Sequence, residues 1–151
     1  IMNEVVLYQP EIPPNTGNII RLCSNTNAKL SLIKPLGFNL DDKQMRRAGL
    51  DYHETTQIAI FESFEDWYIK RNLPFFTLST RGLSHYHKVS YPVSSIIIFG
   101  PETRGLPEEI REHSNASSIK IPMAKHQRSI NLSNAVAICL FEILRQQEFN
   151  F

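Results

Sequence analysis

The sequence predicts an α/β domain built on a parallel sheet flanked by helices. Short apolar segments rich in β-branched residues recur along the chain. Most are continuous rather than alternating, which is typical of strands buried on both faces of a parallel sheet. They span residues 5–8, 30–33, 75–78, 96–99 and 119–121. Helical patterns lie between or after them, and this alternation indicates a parallel α/β sheet.

The first helix follows the first strand. Ile19, Leu22 and Cys23 share one helical face, and Arg21 lies off that face. The segment 35–54 has weak periodicity and many charges, so we expect a long connection with a short helix over residues 43–50. Long connections in compact domains often carry function.

The later helices have their own signals. Ser63 and Asp66 form a pattern like a capping box, and the aromatic residues that follow Ser63 fall on one face. Pro107 and two glutamates predict a short helix. Residues 133–147 predict a long helix. Its run 135–140 is too apolar for one solvated side, so we expect that run in the core or in a subunit interface.

Size and composition predict a single domain over residues 1–151. The chain is 42% hydrophobic, enough for a proper core, and its net charge of +1 predicts neither a nucleic-acid nor a membrane partner without a local patch. No apolar run approaches the roughly 18 residues of a membrane span, and the first residues show no secretion signal. Cys23 and Cys139 are expected as buried thiols. We therefore expect a soluble, cytoplasmic domain.

Four segments rich in Gly, Pro, Asn and Ser follow predicted strands, at residues 9–18, 79–82, 100–105 and 122–134. Ligands bind outside the carboxyl ends of strands in open parallel sheets, so these loops predict one shared site. Neither a G-x-G-x-x-G fingerprint nor a nucleoside-triphosphate P-loop is present. The loop 100–105 either brings backbone close to a ligand or is an ordinary β-to-α turn.

Three ordered motifs resemble those of the SPOUT class of RNA ribose methyltransferases. They are NTGNIIR at 15–21, FGPETRG at 99–105, and IKIPM at 119–123 followed by SINLSNAVA at 129–137. The resemblance covers nearly the whole chain. Residues 9–15 and 49–53 are similar to the small TrmL (YibK) branch, which resembles tRNA (cytidine/uridine-34 2′-O)-methyltransferases.

The resemblance implies properties that the residue pattern alone does not show. The carboxyl-terminal part of the fold would be threaded into a deep trefoil knot, whereas the pattern predicts an unknotted sheet because knots are very rare. The methyl donor would be S-adenosylmethionine (AdoMet), without a metal. The enzyme would be a homodimer with its site at the subunit interface. It would bind the tRNA anticodon stem-loop through the dimer surface. It would methylate the ribose of the wobble nucleotide in leucine isoacceptors.

The resemblance also assigns residues to the methyl donor. Apolar side chains would enclose the adenine, and Gly100 would allow close approach. The cofactor-binding set is Leu78, Thr80, Gly100, Ile121, Met123, Ser129 and Ile130. Without the resemblance, the three aliphatic members Leu78, Ile121 and Ile130 are core residues.

The catalytic residues implied by the resemblance are Arg21, Asn15, Glu102, Ser129 and Asn131. Arg21 matches the arginine to which the family assigns proton removal or activation of the 2′-hydroxyl. A guanidinium stays charged in proteins. Arg21 is therefore better suited to hold the neighbouring phosphate and stabilise the developing alkoxide.

The other catalytic candidates have supporting roles and simpler alternatives. Asn15 would shape its loop and help to hold Arg21 or the RNA, or else form a turn or helix cap. Glu102 would orient Arg21 or pair with Arg104, or else be an acid near a helix start. Ser129 and Asn131 would hydrogen-bond the donor or the ribose, or cap the last helix.

Basic residues form three sequence clusters that could contact phosphates. They are Lys43, Arg46 and Arg47; Arg81, His85, His87 and Lys88; and Lys120, Lys125, His126 and Arg128. Exposed aromatics such as Tyr86 or Tyr52 could stack an unpaired base. His85 and His87 suggest a metal, but no third ligand is close in sequence, so we expect none.

One residue departs from the family pattern. Phe141 lies where close relatives often carry tyrosine, and a missing hydroxyl there bears on dimer or RNA contacts.

Two alternatives to a tRNA-methylating enzyme remain open. One is a binding module for RNA or nucleotides that has lost turnover, against which the complete catalytic set argues. The other is a nicotinamide oxidoreductase, against which the missing glycine fingerprint argues.

Overall fold

A computed structural model describes residues 2–49 and 58–151 and confirms the parallel α/β fold. Seven strands form one sheet in the order β3-β2-β1-β6-β4-β7-β5, and all neighbouring pairs are parallel. They are β1 (Glu4–Tyr8), β2 (Lys29–Ile33), β3 (Ile58–Phe61), β4 (Phe75–Leu78), β5 (Ser84–His85), β6 (Ile96–Phe99) and β7 (Ala116–Lys120). Their carboxyl ends therefore lie along one edge.

Five α-helices occur in the described residues. They are α1 (Pro13–Thr26), α2 (Lys43–Gly49), α3 (Phe64–Arg71), α4 (Glu108–Arg111) and α5 (Leu132–Gln146). A short 3-10 helix spans Tyr86–Lys88. In the capping box before α3, the Asp66 backbone N–H donates to Ser63 Oγ at 3.1 Å, as predicted. None of these helices is long and apolar enough to cross a membrane.

Two strands escaped the sequence prediction, and a third was misplaced. β5 is two residues long and carries no apolar signal. The backbone pairing of Ser84 with Ile119 and of His85 with Lys120 places it beside β7. β3 is a four-residue edge strand whose first three residues are only half-buried. The strand predicted at 119–121 is β7, which begins earlier, at Ala116, and ends before Ile121. Its polar residues Ser117 and Ser118 obscure the pattern.

The sheet has an apolar core on each face, which explains the continuous apolar strands. In β1, Val5 and Leu7 face α1 and α5, whereas Val6 faces α3 and α4. In β6, Ile97 and Ile98 divide between the two faces in the same way. Alternation is hidden because both faces of the central strands are covered.

The two cysteines are buried, as predicted, one on α1 and one on α5. Both belong to the core between these helices and the sheet. Burial raises the pKa of Cys23 and of Cys139 to about 12 each. Both thiols are therefore neutral packing groups rather than nucleophiles.

A buried carboxylate links β1 to β2 and α3. Glu4 is 4% exposed, and its oxygens accept from Arg71 Nε at 2.7 Å, from Trp67 Nε1 at 3.0 Å and from Ser31 Oγ at 2.5 Å. Burial alone would raise the pKa of Glu4, but the hydrogen bonds from Arg71, Ser31 and Trp67 hold it below its ordinary value. The native state therefore favours the ionised carboxylate.

We expect Glu4→Ala to lower the free energy of unfolding by about 3 kcal/mol near neutral pH, because it removes the carboxylate partner of the half-buried Arg71 guanidinium and the acceptor of the buried Trp67 and Ser31. The matched control is Glu62→Ala, which breaks the exposed pair with Lys34 and should cost less than about 1 kcal/mol. Urea unfolding curves measure both.

The same variant tests the pH dependence. Because the native pKa of Glu4 is lowered, its contribution is complete above the ordinary carboxyl pKa and disappears as the pH falls through the native value. The difference in the free energy of unfolding between wild type and Glu4→Ala should therefore become smaller as the pH is lowered. A difference that is small at neutral pH, or that widens in acid, would contradict this role.

Candidate active site

A cleft of about 650 Å³ opens at the carboxyl edge of the sheet. Three of its walls follow β4, β6 and β7, and the fourth is the beginning of α1 together with the residue before it. The predicted convergence of the four loops is therefore confirmed. The volume lies within the range of small-molecule and cofactor sites, roughly 300–1,000 Å³.

Helix α1 begins at the cleft without a side-chain cap of its own. Ile12 occupies the cap position, and Pro13 and Pro14 begin the helix. Prolines suit these positions because the first backbone N–H groups of a helix lack intrahelical acceptors, and proline has no N–H. The residues 13–18, predicted as a loop, are therefore helical.

The loop after β6 instead binds the two residues just before the helix. Glu102 accepts from the backbone N–H of Glu11 at 2.8 Å through Oε1, and from that of Ile12 at 2.9 Å through Oε2. Its Oε2 also accepts from Asn15 Nδ2 at 3.2 Å. One carboxylate thus fixes the position of α1 relative to the loop 100–105.

The chain of hydrogen bonds continues to α5. Asn131 Nδ2 donates to Asn15 Oδ1 at 3.1 Å. Asn131 Oδ1 caps α5 by accepting from the backbone N–H groups of Ser133 at 3.0 Å and Asn134 at 3.3 Å. Glu102, Asn15 and Asn131 therefore form one network that joins three walls of the cleft.

A second carboxylate makes the reciprocal connection. Glu11 Oε1 accepts from the Thr103 backbone N–H at 2.9 Å and from Thr103 Oγ1 at 2.7 Å. Glu11 Oε2 accepts from Arg104 Nε at 3.4 Å. The Thr103 hydrogen bonds, and more weakly Arg104, hold the pKa of Glu11 below its ordinary value. Glu11 and Glu102 thus join the segment before α1 to the loop 100–105 by hydrogen bonds in both directions.

Gly100 is required by the protein's own backbone. A Cβ at this position would lie 2.5 Å from the Leu106 nitrogen and 2.6 Å from the Gly105 carbonyl carbon. The loop 100–105 folds back over Gly100, and Gly105 closes it with a φ of +73°. Tight folding of the loop, and not only approach to a ligand, therefore explains this glycine.

The walls combine half-buried aliphatic side chains with exposed polar ones. Leu78 and Ile121 pack against the main core and also line the cleft, and Ile130 lines it half-buried. Thr80, Met123 and Ser129 are exposed lining residues. This arrangement suits a ligand with an aromatic ring and a polar end. Leu78 and Ile121 belong both to the edge of the core and to the wall of the cleft.

Comparisons with known proteins agree with this architecture. The family model described as "SpoU rRNA Methylase family" matches residues 2–141. The chain belongs to the SpoU methylase family. This finding confirms the resemblance to the SPOUT class.

Relatives and solved structures of the SpoU family match almost the whole chain. A tRNA (cytidine(34)-2'-O)-methyltransferase from Methylovorus glucosotrophus is 49% identical over 150 residues, covering 98% of this chain and 97% of the relative. The Escherichia coli K12 protein of the same name is 49% identical over 147 residues, covering 96% and 94%. A structure described as giving insights into "the 2-OH methylation of C/U34 on tRNA" matches with a TM-score of 0.93 at 38% identity, covering 97% of each chain. An AdoMet-bound rRNA methyltransferase from Sinorhizobium meliloti matches with a TM-score of 0.83 at 26% identity, covering 95% of this chain and 56% of that one.

The SpoU-family cleft contains every predicted site residue except Arg21. Arg21 is exposed on α1, outside the residues that line the cleft of its own chain. The network joins Asn15, Glu102 and Asn131, whereas Ser129 lies in the wall just before the cap of α5. The structure therefore brings the predicted donor set together and leaves the arginine apart.

Three local predictions were wrong. Asn15 is neither a turn nor a cap, because the two prolines begin α1 before it. Glu102 does not pair with Arg104, because Arg104 bonds to Glu11 and Gln9 instead. Tyr86 is half-buried against the core rather than exposed, and its carbonyl accepts from Tyr91 Oη at 2.5 Å.

Other predictions have mixed outcomes. Arg81 and Arg128, from two of the basic clusters, line the cleft, and the cations of α2 are exposed. His85 and His87 stack with ring centroids 5.8 Å apart. The described residues contain no group of three or more His, Cys, Asp or Glu that could hold a metal ion. Tyr52 and most of the motif 49–53 lie outside the described residues.

Sequence reasoning assigned no role to Glu11 or Thr103 and named Arg104 only as a partner for Glu102. All three lie in loops that the sequence predicted to converge, so their approximate location could be predicted. Their contacts could not be predicted, because these hydrogen bonds join residues 92 and 93 positions apart.

Proposed function

We propose that this protein transfers the methyl group of AdoMet to the ribose 2′-hydroxyl of nucleotide 34, C or U, in tRNA. The network of Glu102, Asn15 and Asn131 around one cleft carries the proposal, because it places the three family motifs on a single site. The 49% identical relatives that bear this activity in their names support it. We also propose leucine isoacceptors as the substrates and residues 1–151 as one domain; the trefoil knot stays a prediction.

The residues of the cleft fit AdoMet. Leu78, Ile121 and Ile130 offer apolar surface for an adenine, and the polar side chains of Thr80 and Ser129 lie near that surface on the same walls. When bound, AdoMet supplies an electrophilic methyl group on a sulfonium sulfur. The chemistry requires no metal, since the leaving group departs as a neutral thioether.

The chain's own residues must then position the 2′-hydroxyl and manage its charge. Alignment of nucleophile and methyl group is the main requirement of an in-line displacement. Ser129 offers its hydroxyl to the ribose beside the donor wall. Asn131 offers only the second N–H of its amide, because its Oδ1 caps α5 and the other N–H donates to Asn15. Glu102 acts as a positioning residue, because its oxygens are already occupied by two backbone N–H groups and Asn15. Arg21, as a cation, would stabilise the negative charge that develops on the 2′-oxygen as it attacks the methyl group and its proton passes to solvent water.

A homodimer accounts for the position of Arg21. Within one chain Arg21 lies outside the cleft, so an active site at a subunit interface is the arrangement that would unite it with the donor site. The run 135–140 of α5 does not itself require an interface, because Ala135, Val136, Cys139 and Leu140 are buried in their own core. Two exposed aromatics near the carboxyl end support an interface instead, Phe141 at 43% and Phe149 at 50%.

Analytical sedimentation tests the dimer. We expect a dimer at micromolar concentration, and we expect Phe141→Lys to shift the equilibrium toward monomer because it places a charge on the apolar contact. Lys70→Ala on α3, an exposed position of the opposite layer, serves as the control. A wild-type monomer at micromolar concentration would contradict an interface site.

Methyl transfer from labelled AdoMet to a total tRNA fraction, followed by mapping of the label, tests the proposed function. We expect label on the ribose of nucleotide 34, concentrated in leucine isoacceptors. Label on another nucleotide would overturn the substrate. AdoMet binding without transfer to any tRNA would favour the binding module, and failure to bind AdoMet would contradict the enzyme altogether.

A further inference from the structure

One arginine at the rim of the cleft, Arg104, is hydrogen-bonded by two side chains from a different loop. Arg81, Arg104, Arg111 and Arg128 all line the cleft. Arg111 Nε donates to the Leu106 carbonyl at 3.2 Å, which fixes it to its own turn. Arg104 is held instead by two side chains of the opposite loop, and its own side chain remains 58% exposed.

The hold on Arg104 has two points of contact. Its Nε donates to Glu11 Oε2 at 3.4 Å, and its Nη2 donates to Gln9 Oε1 at 3.1 Å. Glu11 is itself immobilised by Thr103, which donates to Oε1 through its backbone N–H and its hydroxyl. Gln9 sits at the end of β1 with a φ of +50°, a conformation that only a few per cent of non-glycine residues adopt. Thr103 therefore fixes Glu11, and Gln9 supplies a second acceptor from the residue after β1.

This arrangement orients the guanidinium and leaves some of its N–H donors available for a ligand. A guanidinium has five N–H donors, and the two contacts employ two of them. The ion pair with Glu11 is long and solvent-exposed, so it neutralises little of the charge. What remains is an oriented cationic fork at the rim, a group that suits bidentate recognition of a phosphate.

Two anions could meet this fork in a methyltransferase, an RNA phosphate or the carboxylate of AdoMet. The position favours RNA. Thr103, Arg104 and Gly105 are all exposed, whereas the donor walls at Leu78, Ile121 and Ile130 are half-buried deeper in the cleft. A polyanion that crosses the mouth of the cleft would pass this rim.

We propose that Arg104, oriented by Gln9 and Glu11, binds a backbone phosphate of the substrate RNA beside the ribose to be methylated. Glu11 is in this account a positioning residue for Arg104. The proposal rests on the proposed function for the identity of the RNA, and its test uses equilibrium binding so that it does not depend on turnover.

Arg104→Ala provides the first test, with a fluorescent anticodon stem-loop RNA titrated at several salt concentrations. We expect affinity about tenfold weaker, as for the loss of one charge-assisted contact. The slope of log affinity against log salt should fall by about 0.7 to 1, the contribution of one phosphate. AdoMet affinity should be unchanged. Lys70→Ala, which removes one cation from α3, should leave both RNA affinity and slope unchanged.

Two further variants separate charge from orientation. Arg104→Lys should keep the salt slope but bind RNA more weakly, because a lysine cannot bond both Gln9 and Glu11 as a fork. Glu11→Ala should also weaken RNA binding with the slope retained. Tighter RNA binding by Glu11→Ala would contradict the positioning role, since it would show that Glu11 merely repels the RNA.

Other outcomes overturn the proposal itself. If the slope of log affinity against log salt is unchanged in Arg104→Ala, Arg104 does not contact a phosphate. Weaker AdoMet binding in Arg104→Ala, with RNA binding intact, would assign the arginine to the donor carboxylate instead. Failure of the proposed function looks different, because wild type would then bind the RNA without methylating nucleotide 34.

Discussion

Arg21→Ala should reduce kcat for methyl transfer at least about 100-fold, the loss expected when a group that stabilises developing negative charge is removed. The 2′-hydroxyl must carry that charge as it attacks the methyl group. Because Arg21 is exposed and outside the core, the variant should retain the fold and the proposed dimer. Single-turnover transfer to tRNA, with AdoMet and tRNA saturating, measures the chemical step.

Asn25→Ala is the matched control for Arg21. Asn25 is exposed on α1 one helical turn further on, so its loss tests the helix surface without removing a charge. Arg21→Lys should recover part of the activity if charge is the essential property. Near-normal turnover in Arg21→Ala would remove this residue from the mechanism.

Glu102→Ala should reduce kcat/KM about 100-fold, because small misplacements of reacting groups have effects of this size. The change leaves the N–H groups of Glu11 and Ile12 and the amide of Asn15 without their acceptor. The beginning of α1 and the loop 100–105 then lose their common anchor. AdoMet affinity should fall as well, since this loop is a wall of the cleft, and we measure it by calorimetry.

Glu102→Gln separates geometry from charge. Glutamine retains one acceptor oxygen but presents an NH₂ group to the remaining donors, so it should recover little activity. Glu108→Ala, an exposed glutamate at the beginning of α4, is the control for loss of a negative charge nearby. Wild-type AdoMet affinity and turnover in Glu102→Ala would show that the network is dispensable.

Much of the fold could be predicted because both faces of the central strands are covered. Continuous apolar segments such as Ile96–Phe99 identify such strands directly. β5 could not be predicted, since two polar residues at an edge are held by backbone pairing with β7 alone. The beginning of α1 was misplaced for a different reason: Pro13 and Pro14 are typical of loops as well as of the first turn of a helix.

The site was predicted in its location more completely than in its contacts. Parallel strands bring their carboxyl-end loops to one edge, so Asn15, Glu102 and Asn131 had to lie near one another. Which oxygen accepts from which N–H depends on side-chain directions that no local pattern encodes. For the same reason the sequence could not show that Arg104 bonds to Glu11 rather than to Glu102, or that Arg21 lies outside the cleft of its own chain.

The most direct test compares two anticodon stem-loop RNAs that differ in one atom. One carries ribose at nucleotide 34, and the other carries 2′-deoxyribose there, which removes only the proposed nucleophile. With labelled AdoMet, we predict that the first RNA acquires one methyl group on nucleotide 34 and that the second acquires none while binding with similar affinity. Equal labelling of both RNAs, or binding of AdoMet and RNA with no transfer to the first, would contradict 2′-O-methylation at this position.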